Sequence, residues 1–507
     1  MFKNQVSPRW VLVSLLLGGV VSFQIQQTVD SESEPTAKQE LEADLHEILN
    51  DPRLESAVSS VHVRSAESGE EIYDYQGQTS LGPASGQKIL SGTAALDVLG
   101  PEYTFNTGVY TEGHQVGSIL RGDLYLKGEG DPTMLPSDYE DFAKELADQN
   151  IKLVQGDIIA DDTFFDDTRL SLDLSWYNQR RHTGAQVSAL SVAPDASLLS
   201  SDALDRYNTG SVYIEIHPGD HPGDQAEIEV TPDSDYFTIH NEVETVQADD
   251  TRSLTDWGRE HGSNEIFFEG TIPVGDNPLT QYVAIWEPTE LAQQIFYDAL
   301  EEHGILVTGD AVTGITPDNA NALVERESMP LEELYFPFMK LSQNNHAEHL
   351  TKTLGREVHD EGSWDEGLEV VENYLDEAGV DTDILQLRDG SGMSHLNMIP
   401  AQEMTHLLHH VQEEDWYEVF YESLPLVGED DEMIGGTLNT RMQGTEAEGN
   451  VRAKTGTTTS KSSLSGYVTT QDDEEFIFSV IINNFTGHSP KDIEDDIAIR
   501  LAEFSRD

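Results

Sequence analysis

At 507 residues the chain is long enough for two to four domains, and its 37% hydrophobic content lies well above that of a disordered protein. Its 28 Lys and Arg stand against 95 Asp and Glu, a net charge of −67 that excludes nucleic acid and anionic membrane surfaces as partners through bulk electrostatics. The absence of cysteine excludes disulfides, thiolate metal sites and a cysteine nucleophile.

The acidity is spread over all segments rather than gathered in a tail, which points to a folded surface kept soluble in a saline or alkaline external medium. Only 11 of the basic residues are lysines, and none lies between Lys152 and Lys340. In so lysine-poor a chain, Lys88, Lys340 and Lys454 call for a chemical explanation before the others.

In chain order, Lys3 and Arg9 precede an apolar run over 11–23, the form of an export signal or uncleaved amino-terminal anchor within residues 1–30. An acidic tether is expected over 31–40. Helical spacing at Leu41, Leu45, Ile48 and Leu49 predicts a helix ending near Pro52. Alternation over 58–64 and around 72–75, with a turn between them, predicts a hairpin. It leads to Pro83-Ala-Ser85 and to Lys88, at the head of an apolar helix over 89–99. On a helix, i and i+3 share a face, so the amine of Lys88 lies beside the hydroxyl of Ser85, the geometry of a serine nucleophile with a lysine base.

Beyond Gly100-Pro101 the texture changes to short strands with Gly and Asp turns, broken by helical stretches at 137–150 and 288–303. Residues 99–318 are therefore expected to form a β-rich insertion. Residues 41–98 and 319–507 would then build one domain from the two ends of the chain. Helices resume over 331–355, 363–378 and 400–412. Strands are expected at 450–455, 464–469 and 475–483, and an amphipathic helix closes the chain over 490–504.

Two later stretches add groups to the first pair. Lys340-Leu-Ser342-Gln-Asn344 holds a hydroxyl and an amide where a helix begins. Lys454-Thr455-Gly456-Thr457 ends a strand, where the glycine would let a substrate backbone approach and the other three would donate to an anion. Ser-x-x-Lys, Ser-x-Asn and Lys-Thr-Gly in this order form the signature set of penicillin-recognising serine enzymes.

Further matches narrow the resemblance. They are Gly122-Asp-Leu-Tyr-Leu-Lys-Gly-x-Gly-Asp-Pro132, Val187-Ser-Ala-Leu-Ser-Val192, Asp389-Gly-Ser-Gly-Met-Ser394 and Gly436-Thr-Leu438. Gly449-Asn-Val-Arg-Ala-Lys-Thr-Gly-Thr457 and Ser465-Gly-Tyr467 complete the set. The chain resembles the low-molecular-mass class C penicillin-binding proteins, exported D-alanyl-D-alanine carboxypeptidases and endopeptidases. The 257 residues between Ser85 and Ser342 fit that family, whose catalytic domain carries large insertions, better than the compact β-lactamases. Gly86-Gln87, where Asn-Met is expected, departs from the pattern without touching a reactive group.

The resemblance implies an α/β (α+β) fold, with an antiparallel sheet flanked by helices and interrupted by inserted β-rich domains. It implies Ser85 as nucleophile, Lys88 as base, Ser342 as proton relay, Asn344 on the acyl side chain and Lys454 as a source of positive potential. Thr455 and Thr457 would meet the substrate carboxylate beside Gly456, with the N–H groups of Ser85 and Thr457 as oxyanion hole. Peptidoglycan stems ending in D-Ala-D-Ala and β-lactams are the implied partners; no cofactor and no catalytic metal are implied. Membrane contact would run only through the amino-terminal segment. A β-lactamase or esterase on this fold, and a silent peptidoglycan-binding protein, remain open alternatives.

A lysine base must be neutral at working pH. The net charge of −67 opposes that, so salt is expected to assist catalysis. Other polar groups carry blander readings. His406 and His410 share a solvated helix face. His346 and His349 do not make a His-Glu-x-x-His zinc motif. The doubled His-Pro-Gly-Asp at 217–224 reads as a turn-rich loop, and Asp161, Asp162, Asp166 and Asp167 as turn and surface carboxylates.

Overall fold

The computed structural model describes residues 36–194 and 207–506. The export segment at 1–30 and the first part of the tether lie outside them. No helix among the described residues is long and apolar enough to cross a membrane.

Five antiparallel strands form the central sheet, in the order Glu71–Tyr75, Val58–Ser65, Glu475–Asn483, Lys461–Thr469, Arg452–Thr458. The amino-terminal hairpin thus supplies one edge and the carboxy-terminal strands the rest. Alternation in the middle strand divides the two cores: Phe476, Phe478, Val480 and Ile482 face one side, Ile477 and Ile481 the other.

The first side is closed by the terminal helices, Ala37–Leu49 and Lys491–Ala502, through Leu41, Leu45, Leu49, Ile493, Ile497 and Leu501. Each of these fully buried leucines contributes roughly 1.5–3 kcal/mol by leaving water. Arg500 Nε on Asp44 Oδ2 at 2.7 Å ties the two helices together. On the other side lies the helix Gln87–Val98, surrounded by Leu331–Lys340, Asn344–His359, Trp364–Glu377 and Ala401–His410. Residues 87–96 are all buried, polar Gln87, Lys88, Ser91 and Thr93 among them, which explains why that helix shows no apolar stripe against a solvated face.

The insertion has its own core. Its mixed five-stranded sheet runs Ala311–Thr313, Ile158–Asp161, Leu124–Gly128, Asn106–Thr111, Asn321–Glu327. A four-stranded sheet and the helices Pro136–Asp148 and Pro288–Glu302 pack with it, and two three-stranded sheets span 211–284. Glycine turns at Gly122 and Gly156 divide Ile119–Arg121 from Leu124–Gly128 and Leu153–Gln155 from Ile158–Asp161, so each of these two segments serves both the four- and the five-stranded sheet. The strand Asn321–Glu327 was not anticipated. It pairs with Asn106–Thr111 and carries the insertion's sheet past residue 318; with four of its seven residues exposed, it offers little hydrophobic pattern to read.

Candidate active site

Pro83 brings the chain into a short 3-10 turn, Ala84–Gly86, directly ahead of Gln87–Val98. Ala84 is held at φ +47°, a left-handed conformation that a Cβ-bearing residue adopts only when its surroundings enforce it. The enforcing contacts are close. A Cβ on Gly456 would fall 2.3 Å from Pro83 O, 2.3 Å from Ser463 Oγ and 2.9 Å from Gly86 N, and one on Gly392 would fall 1.8 Å from Ala84 O. Ser463 Oγ donates to Pro83 O at 2.6 Å. Gly456 therefore admits the nucleophile's own turn against the strand.

Ser85 is half-buried and Lys88 is fully buried. Lys88 Nζ lies 3.0 Å from Ser85 Oγ, 2.7 Å from Asn344 Oδ1 and 2.8 Å from Ser391 O. As an ammonium it donates to all three. As a neutral amine it has two N–H bonds, which the amide and carbonyl oxygens require, and its lone pair then falls to the Ser85 hydroxyl. Burial holds this amine down to about 7, against the pull of Glu348 and Asp389.

Ser342 follows the helix Leu331–Lys340 in a tight break, also left-handed at φ +59°, before Asn344–His359 begins. Its Oγ accepts from Lys454 Nζ at 2.8 Å, and Lys454 also donates to Thr455 O at 2.9 Å. Lys454 is fully buried and lies well below the ordinary lysine range, through burial first and the charge of Lys88 second. Asn344 Nδ2 donates to Thr183 O at 2.7 Å. Its amide thus orients Lys88 through Oδ1 and is itself anchored through one Nδ2 hydrogen, the second N–H being available to an acyl side chain.

Ser85, Ser342, Thr455 and Thr457 share a cleft of ≈230 Å³ with Thr437, Arg441 and Lys491. Thr437 Oγ1 lies 2.8 Å from Thr455 Oγ1. The hydroxyls of Thr437, Thr455 and Thr457 and the Lys491 ammonium suit a carboxylate in this cleft, whereas Arg441 already meets Glu494 at 3.1 Å and Asp495 at 2.6 Å.

Of the three singled-out lysines, Lys340 stays outside the cleft. It ends its helix, and its Nζ donates to Leu424 O at 2.5 Å and Ile434 O at 2.8 Å. It satisfies backbone carbonyls that would otherwise be orphaned. The Asp389–Ser394 loop reaches the chemistry through one atom, the Ser391 carbonyl on Lys88. Glu348 holds the loop by accepting from Gly390 N at 2.9 Å and Ser391 N at 3.0 Å, and Asp389 accepts from Gly392 N at 2.8 Å and Ser394 N at 2.5 Å. Sequence reasoning passed over Glu348 because a glutamate inside a helix carries no mark of what it faces.

Comparison with known proteins agrees with this geometry. Residues 41–504 match the family model described as the D-Ala-D-Ala carboxypeptidase 3 (S13) family. The chain is 39% identical over 470 residues to the D-alanyl-D-alanine carboxypeptidase of Actinomadura sp., covering 92% of this chain and 85% of that one. It is 24% identical to D-alanyl-D-alanine carboxypeptidase DacB of Haemophilus influenzae, over 83% of this chain and 84% of that one. The crystal structure of penicillin binding protein 4 from Haemophilus influenzae shares its fold, with a TM-score of 0.77 at 23% identity over 90% of this chain and 98% of that one.

Proposed function

The chain belongs to the D-Ala-D-Ala carboxypeptidase 3 (S13) family, and on that footing we propose how its residues divide the work of a serine D-alanyl-D-alanine carboxypeptidase. Ser85 Oγ attacks the carbonyl carbon of the penultimate D-alanine as its proton passes to the Lys88 lone pair. The tetrahedral oxyanion forms toward the N–H groups of Ser85 and Thr457; losing one such donor costs on the order of 100- to 1000-fold in rate. The C–N bond to the terminal D-alanine then breaks as the proton held by Lys88 passes to the leaving amine by way of Ser342, which Lys454 orients. Thr455 and Thr457 hold the terminal carboxylate, with Lys491 adding positive potential while Glu494 and Asp495 engage Arg441. Water attacks the acyl ester and gives a proton to Lys88, which returns it to Ser85 Oγ as the ester C–O bond breaks.

The observation that carries this assignment is a fully buried amine, held down to about 7, at 3.0 Å from the serine oxygen. β-Lactams would acylate the same oxygen, and peptidoglycan stem peptides are the natural substrate. The basic start and apolar run of the first 23 residues favour export, and the evenly spread negative charge favours a saline medium. Fluorescent penicillin on the native protein and on Ser85→Ala tests the assignment, alongside release of D-alanine from an acyl-D-Ala-D-Ala peptide. Native protein should be labelled and active, and Ser85→Ala neither. Label that survives in the alanine variant would falsify it.

A further inference from the structure

Burying a guanidinium without a counter-ion is costly, and in a chain with 95 carboxylates a counter-ion is the expected partner. Arg259 is fully buried, yet the partners of its guanidinium are four carbonyl oxygens. It ends the strand Ser253–Arg259 in one three-stranded sheet of the insertion, and its Nε donates at 2.9 Å to Ala284 O, the end of Leu279–Ala284 in the other. Nη1 donates to Glu260 O at 2.8 Å and to Ser263 O at 3.0 Å. Nη2 leaves the sheets altogether and donates to Gln179 O at 2.9 Å, 80 residues earlier in the chain.

A carboxylate would hold such a group through one bidentate pair, whereas carbonyls spread around its plane fix the whole fork at once. Burial and the neighbouring Arg180 charge push its pKa down to about 10, which still leaves it charged at neutral pH. Arg259 therefore sets the distance of Gln179 from both sheets.

Gln179 lies in a strap of two successive 3-10 turns, Asn178–Arg180 and His182–Gly184. The turns share Arg181, whose N–H donates to Asn178 O at 3.0 Å and whose carbonyl accepts from Gly184 N at 2.9 Å. They also fold onto one another, since a Cβ on Gly184 would fall 2.7 Å from Asn178 O. Arg180 returns the grip, with Nε on Arg259 O at 3.0 Å and Nη2 on Trp257 O at 3.1 Å. A strap this tight moves as a unit. At its far end Thr183 O accepts from Asn344 Nδ2 at 2.7 Å, and Asn344 Oδ1 accepts from Lys88 Nζ at 2.7 Å.

We propose that Arg259 is a positioning residue of the peptidase: it fixes the strap through Gln179 O, the strap presents Thr183 O to Asn344, and Asn344 holds the Lys88 amine against Ser85. The inference rests on Lys88 acting as the base for Ser85. It gives the sheets over 211–284, none of whose residues lines the cleft, a part in the reaction.

Arg259→Lys keeps the charge but gathers its donors on one atom, which cannot span the four carbonyls. Stopped-flow acylation by penicillin yields a rate constant that does not depend on how much of the sample is folded. Displacing a catalytic group by about 1 Å costs on the order of 100-fold, so that constant should fall by about 10- to 100-fold. A released Asn344 amide withdraws an acceptor from the Lys88 ammonium, while Glu348, Asp389 and Lys454, the charged groups around it, stay in place. The acidic limb of the pH–rate profile should therefore move to lower pH as the plateau drops. Asn344→Ala should lose at least as much, and adding Arg259→Lys to it should cost about twofold more at most, because the path to Lys88 is already cut. Arg259→Gln takes the same tests if the lysine variant does not fold. An Arg259 variant within about twofold of the native rate, a limb that stays in place, or losses that multiply in the double variant overturns the proposal. Those outcomes leave the Ser85 and Lys88 assignment standing, whereas native protein that takes no label at Ser85 removes both.

Discussion

Two regions of this molecule bury lysines to the same depth and treat them in opposite ways. In the cleft, Lys88 and Lys454 contact hydroxyls, carbonyls and an amide, and no carboxylate touches either amine. Where the catalytic helices meet the insertion, Lys352 is just as buried, but Asp166 accepts from it at 2.5 Å and the Trp364 ring lies 4.1 Å away. Arg326 likewise reaches Asp131 and Asp138. Neutral partners leave a buried amine free to lose its proton, whereas a carboxylate in contact opposes that loss, although burial still holds Lys352 below the ordinary lysine range. The fold therefore uses one residue type for chemistry in one place and for fastening in another; Lys340, on carbonyls alone, shows that neutral partners permit the chemistry only where a hydroxyl stands beside the amine.

The most severe way to break this contrast is to make the cleft cation permanent. Lys88→Arg keeps the charge and the hydrogen-bonding capacity but cannot give up its proton near neutrality. Acylation of Ser85 by penicillin should fall by roughly 100- to 10,000-fold, the span of general-base contributions. Stopped-flow measurement of acylation, on protein whose circular dichroism matches the native form, reads this directly. A variant that acylates at a near-native rate would remove Lys88 from the role of base.

At the fastening site the loss should appear in stability instead. Asp166→Asn strands a buried ammonium, at a cost of about 3 kcal/mol in urea unfolding, the low end for breaking a buried pair because Asp166 is 29% exposed. Lys352→Met together with Asp166→Asn should recover most of that, since neither side chain then carries a charge that burial must desolvate. Penicillin acylation per folded molecule should be unchanged in both. If Asp166→Asn slowed acylation without loss of stability, the two regions would not be separable in the way their partners suggest.

Ser85, Lys88, Ser342, Asn344, Lys454 and the Thr-Gly-Thr strand were legible because spacing on a helix and order along the chain are local properties. The central sheet was legible for the same reason, since Glu475–Asn483 is a short, nearly continuous apolar run buried on both faces and the terminal helices space their apolar residues about four apart. What sequence could not give is who faces whom. Lys340 and Lys454 look alike as lone lysines, yet one caps carbonyls and the other enters the cleft. Gly456 reads as space for a ligand, while the atoms it admits belong to Pro83 and Ser463, more than 370 positions upstream in one case. The bulge opposite Val63 and Arg64, which turns Glu71 to the face of His62, is one extra residue in a short strand and leaves no mark in the alternation.

The smallest expected effect concerns the source of the field on Lys88. Net charge alone suggests a diffuse field that salt would screen, with the acidic limb of the pH–rate profile moving to lower pH as salt rises. In the structure the groups that raise the Lys88 pKa are particular ones, Glu348 and Asp389, both buried beneath the Asp389–Ser394 loop. Buried pairs are screened far less than surface charges. The sign follows from the chemistry: only neutral Lys88 accepts the serine proton, so activity should rise with pH through about 7. Screening of the distant surface carboxylates lowers the limb, but by less than about one pH unit between low and molar salt, because the two nearest carboxylates are out of its reach. Profiles of penicillin acylation at the two salt concentrations, on protein shown to stay folded in both, measure that displacement. A larger shift would assign the field to the surface as a whole, and no shift at all would assign it entirely to the two carboxylates under the loop.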